Sequence, residues 1–192
     1  PVLTARAENE KQIFILEVSS YQLQYSKQFK SNHAAILNIS PDHLERHKNI
    51  NNYIKIKSKI FFSQKKGDYS YINLENRYSQ FIKSIIKRNK IKSRLFLIKK
   101  SYCNKILKKI DSTYFKSKGN IENLCFAYTI AKNLKISDNI IIKAINNFKG
   151  LAHRQEIIFS NKKVLCVNDS KATSFDASLQ SLLNFKNIYW VL

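Results

Sequence analysis

The stretch HAAILNISPDHLERHKNINNYIKIKSKIF, residues 33–61, places a strand pattern directly before a helix pattern. Its first eight residues form a short apolar run stopped by Pro41, which is typical of a buried strand. From about Ile50 to Phe62, apolar residues recur at helical spacing, which predicts an amphipathic helix. A buried strand followed by such a helix is the repeating unit of an α/β domain built on a mainly parallel sheet.

The same alternation continues along the chain. Further strands are predicted in IFILEVSS, DYSYINL and SRLFLIKK, and further helices between the last two, in IENLCFAYTIAKNL and in SDNIIIKAINNF, where Ser137 is the predicted N-cap. QEIIFSNKKVLCVNDS predicts a hairpin with its tip at Asn161–Lys162, followed by a helix near 175–183 and a last strand. We therefore predict a mainly parallel sheet flanked by helices over residues 1–150, and the first strands of a second α/β domain over 151–192, with the boundary at Gly150.

The bulk composition narrows the class of protein. The net charge is +21, but the lysines are spread along the chain, which favours a compositional bias over a dedicated nucleic-acid face. Three scattered cysteines indicate a reducing compartment, and no apolar run is long enough for a membrane span. The chain has no methionine and begins at Pro1, so we expect it to be a piece of a longer protein.

Lys57 lies on the apolar face of the predicted helix. At about 100° per residue it falls near the middle of an apolar arc, whereas Lys55 and Lys59 point away. The arc consists of Tyr53, Ile56, Ile60 and Phe61. Lysine is rarely buried without a partner, so its ammonium either reaches the rim of the apolar face or loses its proton. A neutral amine can add carbon dioxide, and the resulting carbamate is an oxygen ligand for a metal ion.

Acidic and imidazole side chains occur where predicted strands end, the position at which ligands collect in parallel sheets. Glu17, in IFILEVSS, is either an edge residue that faces water or a carboxylate that binds a hard cation. Asp42 and His43 follow Pro41 and either cap the next helix or join Lys57 at one site. Both interpretations stay open on the residues alone.

Polar and basic residues also crowd after the second hairpin strand. Asp169, Lys171 and Thr173 lie in NDSKATS, and Arg154 lies in GLAHRQE near the predicted boundary. A surface turn often has this composition. Hydroxyl groups and a lysine at a helix start also suit a phosphate group.

Five stretches together resemble the ATP-dependent Mur ligases of peptidoglycan synthesis: LEVSSYQLQ, AAILNISPDHLERH, YIKIKSKIF, GLAHRQE and NDSKAT. SSYQLQ and DSKAT are similar to the branch that joins D-glutamate to UDP-N-acetylmuramoyl-L-alanine through an acyl phosphate. The resemblance implies a cytoplasmic, monomeric enzyme that uses ATP and a pair of Mg²⁺ ions. It implies those two substrates as partners, with neither nucleic acid nor membrane.

The resemblance also implies roles for residues in the first half of the chain. Glu17 matches a glutamate that binds magnesium near the ATP phosphates, and Ser19 matches a residue that contacts the nucleotide-sugar substrate. His43 matches a catalytic residue and magnesium ligand. Lys57 matches the family's carbamylated lysine, which is both catalytic and a metal ligand.

Other matched residues lie in the second half. Asn123 matches an asparagine near the adenine, while Arg154 and Asp169 match residues that hold ATP. Lys171 matches a catalytic lysine near the transferred phosphate, and Thr173 matches a position near the incoming amino acid.

The chain departs from the family pattern in two places and lacks three parts. Gly119 stands where the family has a histidine before the adenine-side helix, and Ser174 replaces an asparagine after DSKAT. The glycine-rich phosphate loop, the UDP-binding domain and most of the domain that binds D-glutamate have no counterpart. We therefore expect the chain alone to be inactive. Two other functions stay open: a related ligase, such as one that extends folate with glutamate, and a basic nucleic-acid-binding module.

Overall fold

A computed structural model describes residues 12–112, 114–116, 118–172, 175–183 and 185–191. The chain packs as two compact units, the first ending at Leu97 and the second beginning at Ile98. The predicted domain boundary at Gly150 is a different kind of division, because it follows a change of sequence pattern rather than of packing. It stays a prediction.

The first unit alternates strands with helices. Its elements are α1 (Ser20–Tyr25), β1 (His33–Ile36), α2 (Leu44–His47), α3 (Ile50–Ser58), a 3₁₀ helix (Lys59–Phe61), β2 (Tyr69–Asn73), α4 (Ser79–Arg88) and β3 (Arg94–Ile98). The strands lie in one sheet in the order β1-β2-β3, and β1 pairs with β2 in parallel. A parallel pair needs a long crossover connection, and α2 and α3 lie within it. The predicted α/β fold is confirmed.

The core of the first unit lies between this sheet and its helices. β1 alternates between half-buried and buried residues, whereas β2, the middle strand, is buried along nearly its whole length, as expected for a strand covered on both faces. Full burial of an isoleucine such as Ile54 contributes roughly 1.5–3 kcal/mol. The buried apolar cluster consists of Ala34, Ile36, Ile39, Tyr53, Ile54, Phe61, Ile72, Ile82, Ile85 and Ile86.

The helix predicted after β1 is present as α3 and the 3₁₀ helix, with its buried face rotated from the predicted arc. Tyr53, Ile54 and Phe61 are buried, whereas Ile56 and Ile60 are only half-buried. The rotation follows from packing: α3 contacts α1, α2 and α4, so apolar side chains on more than one side find partners. The predicted helix is confirmed and its predicted arc is partly wrong.

Residues 12–19, which hold most of the predicted strand IFILEVSS, form no strand. Most of their side chains are exposed, and Ile15 is 93% exposed. A strand needs a neighbouring strand to satisfy its backbone hydrogen bonds, and no described strand pairs with this segment. The strand prediction is wrong for these residues.

The second unit is mostly helical and ends in a hairpin and a helix. Its elements are a 3₁₀ helix (Lys100–Cys103), α5 (Asn104–Leu107), a 3₁₀ helix (Tyr114–Lys116), α6 (Lys118–Asn133), α7 (Asp138–Asn147), β4 (Glu156–Ser160), β5 (Leu165–Asn168) and α8 (Phe175–Leu182). Its buried apolar side chains include Cys103, Ile106, Leu124, Cys125, Phe126, Ile141 and Ile145. Ser137 occupies the predicted N-cap position of α7 without a capping hydrogen bond from its side chain.

The predicted hairpin is confirmed by the antiparallel pairing of β4 with β5. Its tip is stabilised by Asn161, whose Oδ1 accepts hydrogen bonds from the backbone N–H groups of Lys163 at 2.9 Å and Val164 at 2.8 Å. The last predicted strand is absent from residues 185–191. Among the described residues, no helix combines the length and the hydropathy that crossing a membrane requires.

Candidate functional site

Lys57 is half-buried in α3, one turn after Tyr53. Its Nζ lies 5.4 Å from the centroid of the Tyr53 ring. Burial lowers the pKa of Lys57, while the carboxylates of Asp42 and Glu17 act in the opposite direction. The surroundings of the lysine that helical periodicity singles out thus shift its pKa towards the neutral amine, and two acidic residues lie close enough to oppose that shift.

Asp42 is the acidic residue with the most contacts in this region. Its Oδ1 accepts the backbone N–H of His43 at 2.9 Å, and its Oδ2 lies 3.4 Å from His43 Nε2. Burial raises the pKa of Tyr53, and the Asp42 carboxylate raises it further. Asp42 therefore acts electrostatically on both Tyr53 and Lys57, in line with the interpretation that joins it to Lys57 at one site.

His43 adopts a left-handed backbone conformation at the start of α2, with φ of 51°. Non-glycine residues rarely adopt this conformation, and surrounding contacts must hold it in place. Such conformations are enriched at functional sites. Here the His43 carbonyl accepts hydrogen bonds from the N–H groups of Arg46 at 3.1 Å and His47 at 3.0 Å. The His43 ring meets the Tyr21 ring edge-on, with 5.3 Å between centroids.

Ser19 caps α1, which gives it a structural role. Its Oγ accepts the backbone N–H of Gln22 at 3.2 Å, and its own N–H donates to Gln22 Oε1 at 2.8 Å. This reciprocal pair is a capping box with glutamine in its third helical position. The cap fixes the chain direction two residues after Glu17, whose side chain is exposed. The predicted substrate contact of Ser19 stays a prediction.

Glu17, Asp42, His43 and Lys57, here called the lysine site, have the donor chemistry of a magnesium site. Carboxylate oxygens suit a hard cation, and Lys57 would add oxygen donors once carbamylated. Within the part of the chain that the structure describes, no three side chains of His, Cys, Asp or Glu converge as a ready-made metal group. The residues therefore fit the ion in chemistry, and their fit depends on Lys57 changing from cation to anion.

A second group of predicted residues comes together where the loop before β4 meets the end of β5. Asp169 Oδ1 accepts the backbone N–H of Gln155 at 3.1 Å, and the backbone N–H of Lys171 donates to His153 O at 3.0 Å. The side chains of Arg154 and Lys171 are exposed. His153 and Gln155, on either side of Arg154, both have left-handed φ values, 63° and 48°. The backbone on both sides of Arg154 is therefore held in an uncommon conformation.

Tyr114 belongs to the same group. Burial raises the pKa of Tyr114, with Arg154 opposing and Asp169 reinforcing the shift, so both side chains lie near its phenol. Gly150 leaves the space that the ring fills, because a Cβ at this position would lie 2.9 Å from Tyr114 Cε2. Gly150 also has φ of +95°, a conformation that favours glycine. We call Tyr114, Arg154, Asp169 and Lys171 the hairpin-loop cluster.

Among the described residues, the predicted site residues Ser19 and Asn123 belong to neither group. Asn123 is exposed on α6, and its predicted contact with adenine stays a prediction. Thr173 lies outside the described residues, as does Ser174. Gly119, one of the departures from the family pattern, lies in the first turn of α6.

The structure adds residues that sequence reasoning did not assign to a site. His47 follows His43 by one helical turn, and Tyr53 precedes Lys57 by one turn, so i to i+4 spacing is a signal that could have found both. Ser20 was hidden by the strand prediction for its segment. Tyr114 carries no sequence signal, because it lies far from Arg154 and Asp169 along the chain.

Comparison with protein families identifies the class of domain. The model of the Mur ligase middle domain matches residues 1–150. The chain belongs to the Mur ligase family. The predicted resemblance of the chain to this family is therefore confirmed.

Curated relatives from several bacteria agree with this assignment to the Mur ligases. UDP-N-acetylmuramoylalanine--D-glutamate ligase from Rickettsia prowazekii is 36% identical over 205 aligned residues, which cover 100% of this chain and 46% of that protein. The enzyme of the same name from Phenylobacterium zucineum is 31% identical and is matched by 93% of this chain over 42% of its length. The chain thus spans less than half the length of these relatives.

A solved structure supports the Mur ligase fold. MurF from Acinetobacter baumannii matches 81% of this chain and 38% of its own, with a TM-score of 0.62 and 18% sequence identity. At this identity the likeness supports the fold alone.

Proposed function

We propose that the full-length protein is an ATP-dependent ligase that joins D-glutamate to UDP-N-acetylmuramoyl-L-alanine, a step in making peptidoglycan precursors. The observation that carries the proposal is the half-buried Lys57, within electrostatic range of Asp42 and Glu17, in a chain that matches the Mur ligase middle domain. The names of the curated relatives support this choice of substrates.

The proposed reaction has two steps. An oxygen of the L-alanyl carboxylate attacks the γ-phosphorus of ATP, and ADP leaves, which gives an acyl phosphate. The amine of D-glutamate then attacks the acyl carbon, loses a proton and expels phosphate from the tetrahedral intermediate. Both steps bring negative groups together, so the residues of the site must position the reactants and offset their repulsion.

In the lysine site, Glu17, His43 and carbamylated Lys57 would hold Mg²⁺, with Asp42 beside them. When bound, Mg²⁺ would neutralise charge between the substrate carboxylate and the phosphate groups. Asp42 holds His43 through the backbone hydrogen bond at 2.9 Å, and the centroid of the Tyr53 ring lies 5.4 Å from Lys57 Nζ. The lowered pKa of Lys57 favours the neutral amine that carbamylation requires.

In the hairpin-loop cluster, the exposed cations of Arg154 and Lys171 would bind phosphate oxygens. Asp169 holds the loop by accepting the Gln155 N–H at 3.1 Å, which leaves the Arg154 side chain free to extend from a fixed backbone. Within the described part of the chain, Lys171 is held through its backbone N–H, and its exposed ammonium is available for a ligand.

Phosphate release by purified full-length protein tests the proposal. ATP and Mg²⁺ are supplied with UDP-N-acetylmuramoyl-L-alanine and, in parallel reactions, with D-glutamate, L-glutamate, L-alanine or diaminopimelate. We expect release, with formation of the new amide, for D-glutamate and background release for the others. A reaction with reduced folate and L-glutamate serves as the competing acceptor pair.

Other outcomes identify a different function. Release only with the folate pair would assign the protein to a related branch of ligases. No release with any pair, together with RNA or DNA binding that weakens steeply with salt, would favour a basic nucleic-acid-binding module.

A further inference from the structure

His47 is a buried histidine that the proposed mechanism does not use. It is only 3% exposed, and its Nε2 lies 3.0 Å from Ser20 Oγ. Its Nδ1 has no hydrogen-bond partner among the described residues. Buried polar atoms are nearly always hydrogen-bonded, so a buried histidine whose Nδ1 makes no hydrogen bond to a described residue needs a physical explanation.

His47 contacts the elements that carry the predicted ligands. Ser20 is the first residue of α1 and follows Glu17 by three positions. The His47 ring lies 5.2 Å from the Tyr53 ring in α3, and Tyr53 in turn lies beside Lys57. His47 is the last residue of α2, and His43 occupies the N-cap position of the same helix. One imidazole therefore connects the segments that bear Glu17, His43 and Lys57.

Among the described residues, only one ring nitrogen of His47 has a hydrogen-bond partner, which suits the neutral ring. Burial lowers its pKa, and the neighbouring His43 and Arg46 lower it further. A charged ring would carry N–H donors on both nitrogens, one of them without an acceptor. In the neutral ring, a single hydrogen bond through Nε2 joins α2 to α1.

We propose that His47 is a positioning residue for the lysine site: its hydrogen bond to Ser20 and its packing on Tyr53 fix the segments that carry Glu17, His43 and Lys57. The inference rests on the proposed function, because it assumes that these residues bind a divalent cation. It does not depend on which acceptor or amino acid the protein uses. Partners that orient metal ligands typically change metal affinity 10- to 100-fold when replaced.

The two nitrogens of His47 provide a matched pair of variants. The amide nitrogen of glutamine can occupy the place of Nε2, whereas the amide nitrogen of asparagine corresponds to Nδ1. Since Nε2 is the ring nitrogen bonded to a described residue, we expect His47→Gln to preserve the contact with Ser20 and His47→Asn to lose it. Ser20→Ala removes the same hydrogen bond from the other side by deleting one oxygen atom.

The test uses full-length protein and Mn²⁺ as a paramagnetic probe, with binding followed by the loss of the free-ion EPR signal. We expect Mn²⁺ to bind about 10-fold more weakly to His47→Asn and Ser20→Ala than to wild type. His47→Gln should stay within about threefold of wild type, and the double variant of His47→Asn with Ser20→Ala should be no weaker than either single variant. Circular dichroism and Tm show which variants are folded, and Ser20→Ala decides if His47→Asn is not.

Several results would overturn the inference. These are wild-type protein that binds no Mn²⁺, folded His47→Asn and Ser20→Ala with wild-type affinity, or His47→Gln as impaired as His47→Asn. Failure of the proposed function looks different. Wild-type protein would then release no phosphate with D-glutamate, while the contrast in Mn²⁺ binding between the glutamine and asparagine variants persisted.

Discussion

The lysine site and the hairpin-loop cluster hold their lysines, Lys57 and Lys171, in opposite ways. In the lysine site, Lys57 is half-buried on a packed helix with its Nζ near the Tyr53 ring, and the buried His47 ring lies beside Tyr53, whereas Glu17, Asp42 and His43 are exposed. In the hairpin-loop cluster, hydrogen bonds fix the backbone, and the side chains of Arg154 and Lys171 are exposed.

This difference indicates which substitutions should change ligand binding without changing the stability of the fold. Replacing an exposed side chain whose backbone is held elsewhere should alter ligand binding and leave the fold intact. Replacing a half-buried side chain on a packed helix should affect both. The lysine site thus depends on packing around Lys57, whereas the hairpin-loop cluster presents exposed charges on a loop with left-handed backbone angles.

The largest expected effect comes from Lys57→Ala in the full-length protein. Loss of the lysine of the lysine site, with the carbamate it would form, should lower kcat by about 1,000-fold, the upper range for removing one preorganised electrostatic group. Added short carboxylic acids should restore part of the activity by supplying oxygen donors in the vacated space. Steady-state phosphate release with and without acetate measures both effects.

Lys55→Ala is the matched control for Lys57→Ala, because Lys55 is exposed on the same helix. It should leave kcat within about twofold of wild type, as expected for a surface substitution. Full activity of folded Lys57→Ala protein would remove Lys57 from the mechanism, and with it the reason for comparing the two sites as parts of one enzyme.

The second-largest expected effect comes from replacing Lys171 in the hairpin-loop cluster. Lys171→Ala should lower kcat by about 100-fold through loss of a phosphate-binding charge. Its Tm should not change, because the contact with His153 uses the Lys171 backbone. Lys162→Ala, at the hairpin tip, is the control for removing one exposed lysine. A fall in Tm for Lys171→Ala would contradict the separation of stability from function in this cluster.

The sequence predicts the first unit well where periodicity alone determines structure. The strand and helix patterns from residue 33 to 98 correspond to β1, α3, β2, α4 and β3. Lys57 stands out because one cation interrupts an apolar stripe, and the structure places it half-buried. Its predicted neighbour Glu17 lies close enough to act on its charge, although the segment that carries it is not a strand.

Other features depend on contacts that no local pattern encodes. Residues 12–19 have the composition of a strand, but a strand also needs a neighbour to pair with. The bond from Ser20 to His47 crosses 27 positions, and the approach of Tyr114 to Gly150 depends on the packing of distant segments. The Ser20–His47 pair shows how tertiary packing recruits residues that appear ordinary in sequence.

Gly150→Ala tests the strained loop of the hairpin-loop cluster. It forces a positive φ on alanine, at a cost of about 1–3 kcal/mol. It also places a Cβ 2.9 Å from the Tyr114 ring. Gly67→Ala isolates the first cost, because Gly67 has φ of +98° and a Cβ there would meet nothing within 4 Å. Urea unfolding should show the larger loss for Gly150→Ala.

A further substitution separates the two costs at Gly150. Adding Tyr114→Ala removes the ring, so the penalty for Gly150→Ala measured in that background should fall to the value for Gly67→Ala. Equal penalties for Gly150→Ala and Gly67→Ala in the wild-type background would show that the ring moves aside easily. The loop would then be less constrained than the comparison of the two sites requires.

The smallest effect concerns a buried charge of the first unit outside the lysine site. Burial alone would raise the pKa of Asp68, but it is outweighed by hydrogen bonds from the Lys65 N–H at 2.7 Å and the Asn32 amide at 3.0 Å, so the pKa is lowered. A lowered folded-state pKa gives stability that is present above the unfolded pKa of about 3.9 and is lost as pH falls through the folded-state pKa.

Asp68→Asn should remove this acid-dependent part of the free energy of unfolding, whereas the exposed control Glu75→Gln should retain it. Urea titrations between pH 2.5 and 6, followed through NMR signals of β2, measure it. An unchanged acid dependence in Asp68→Asn would mean that folding does not lower the pKa of Asp68.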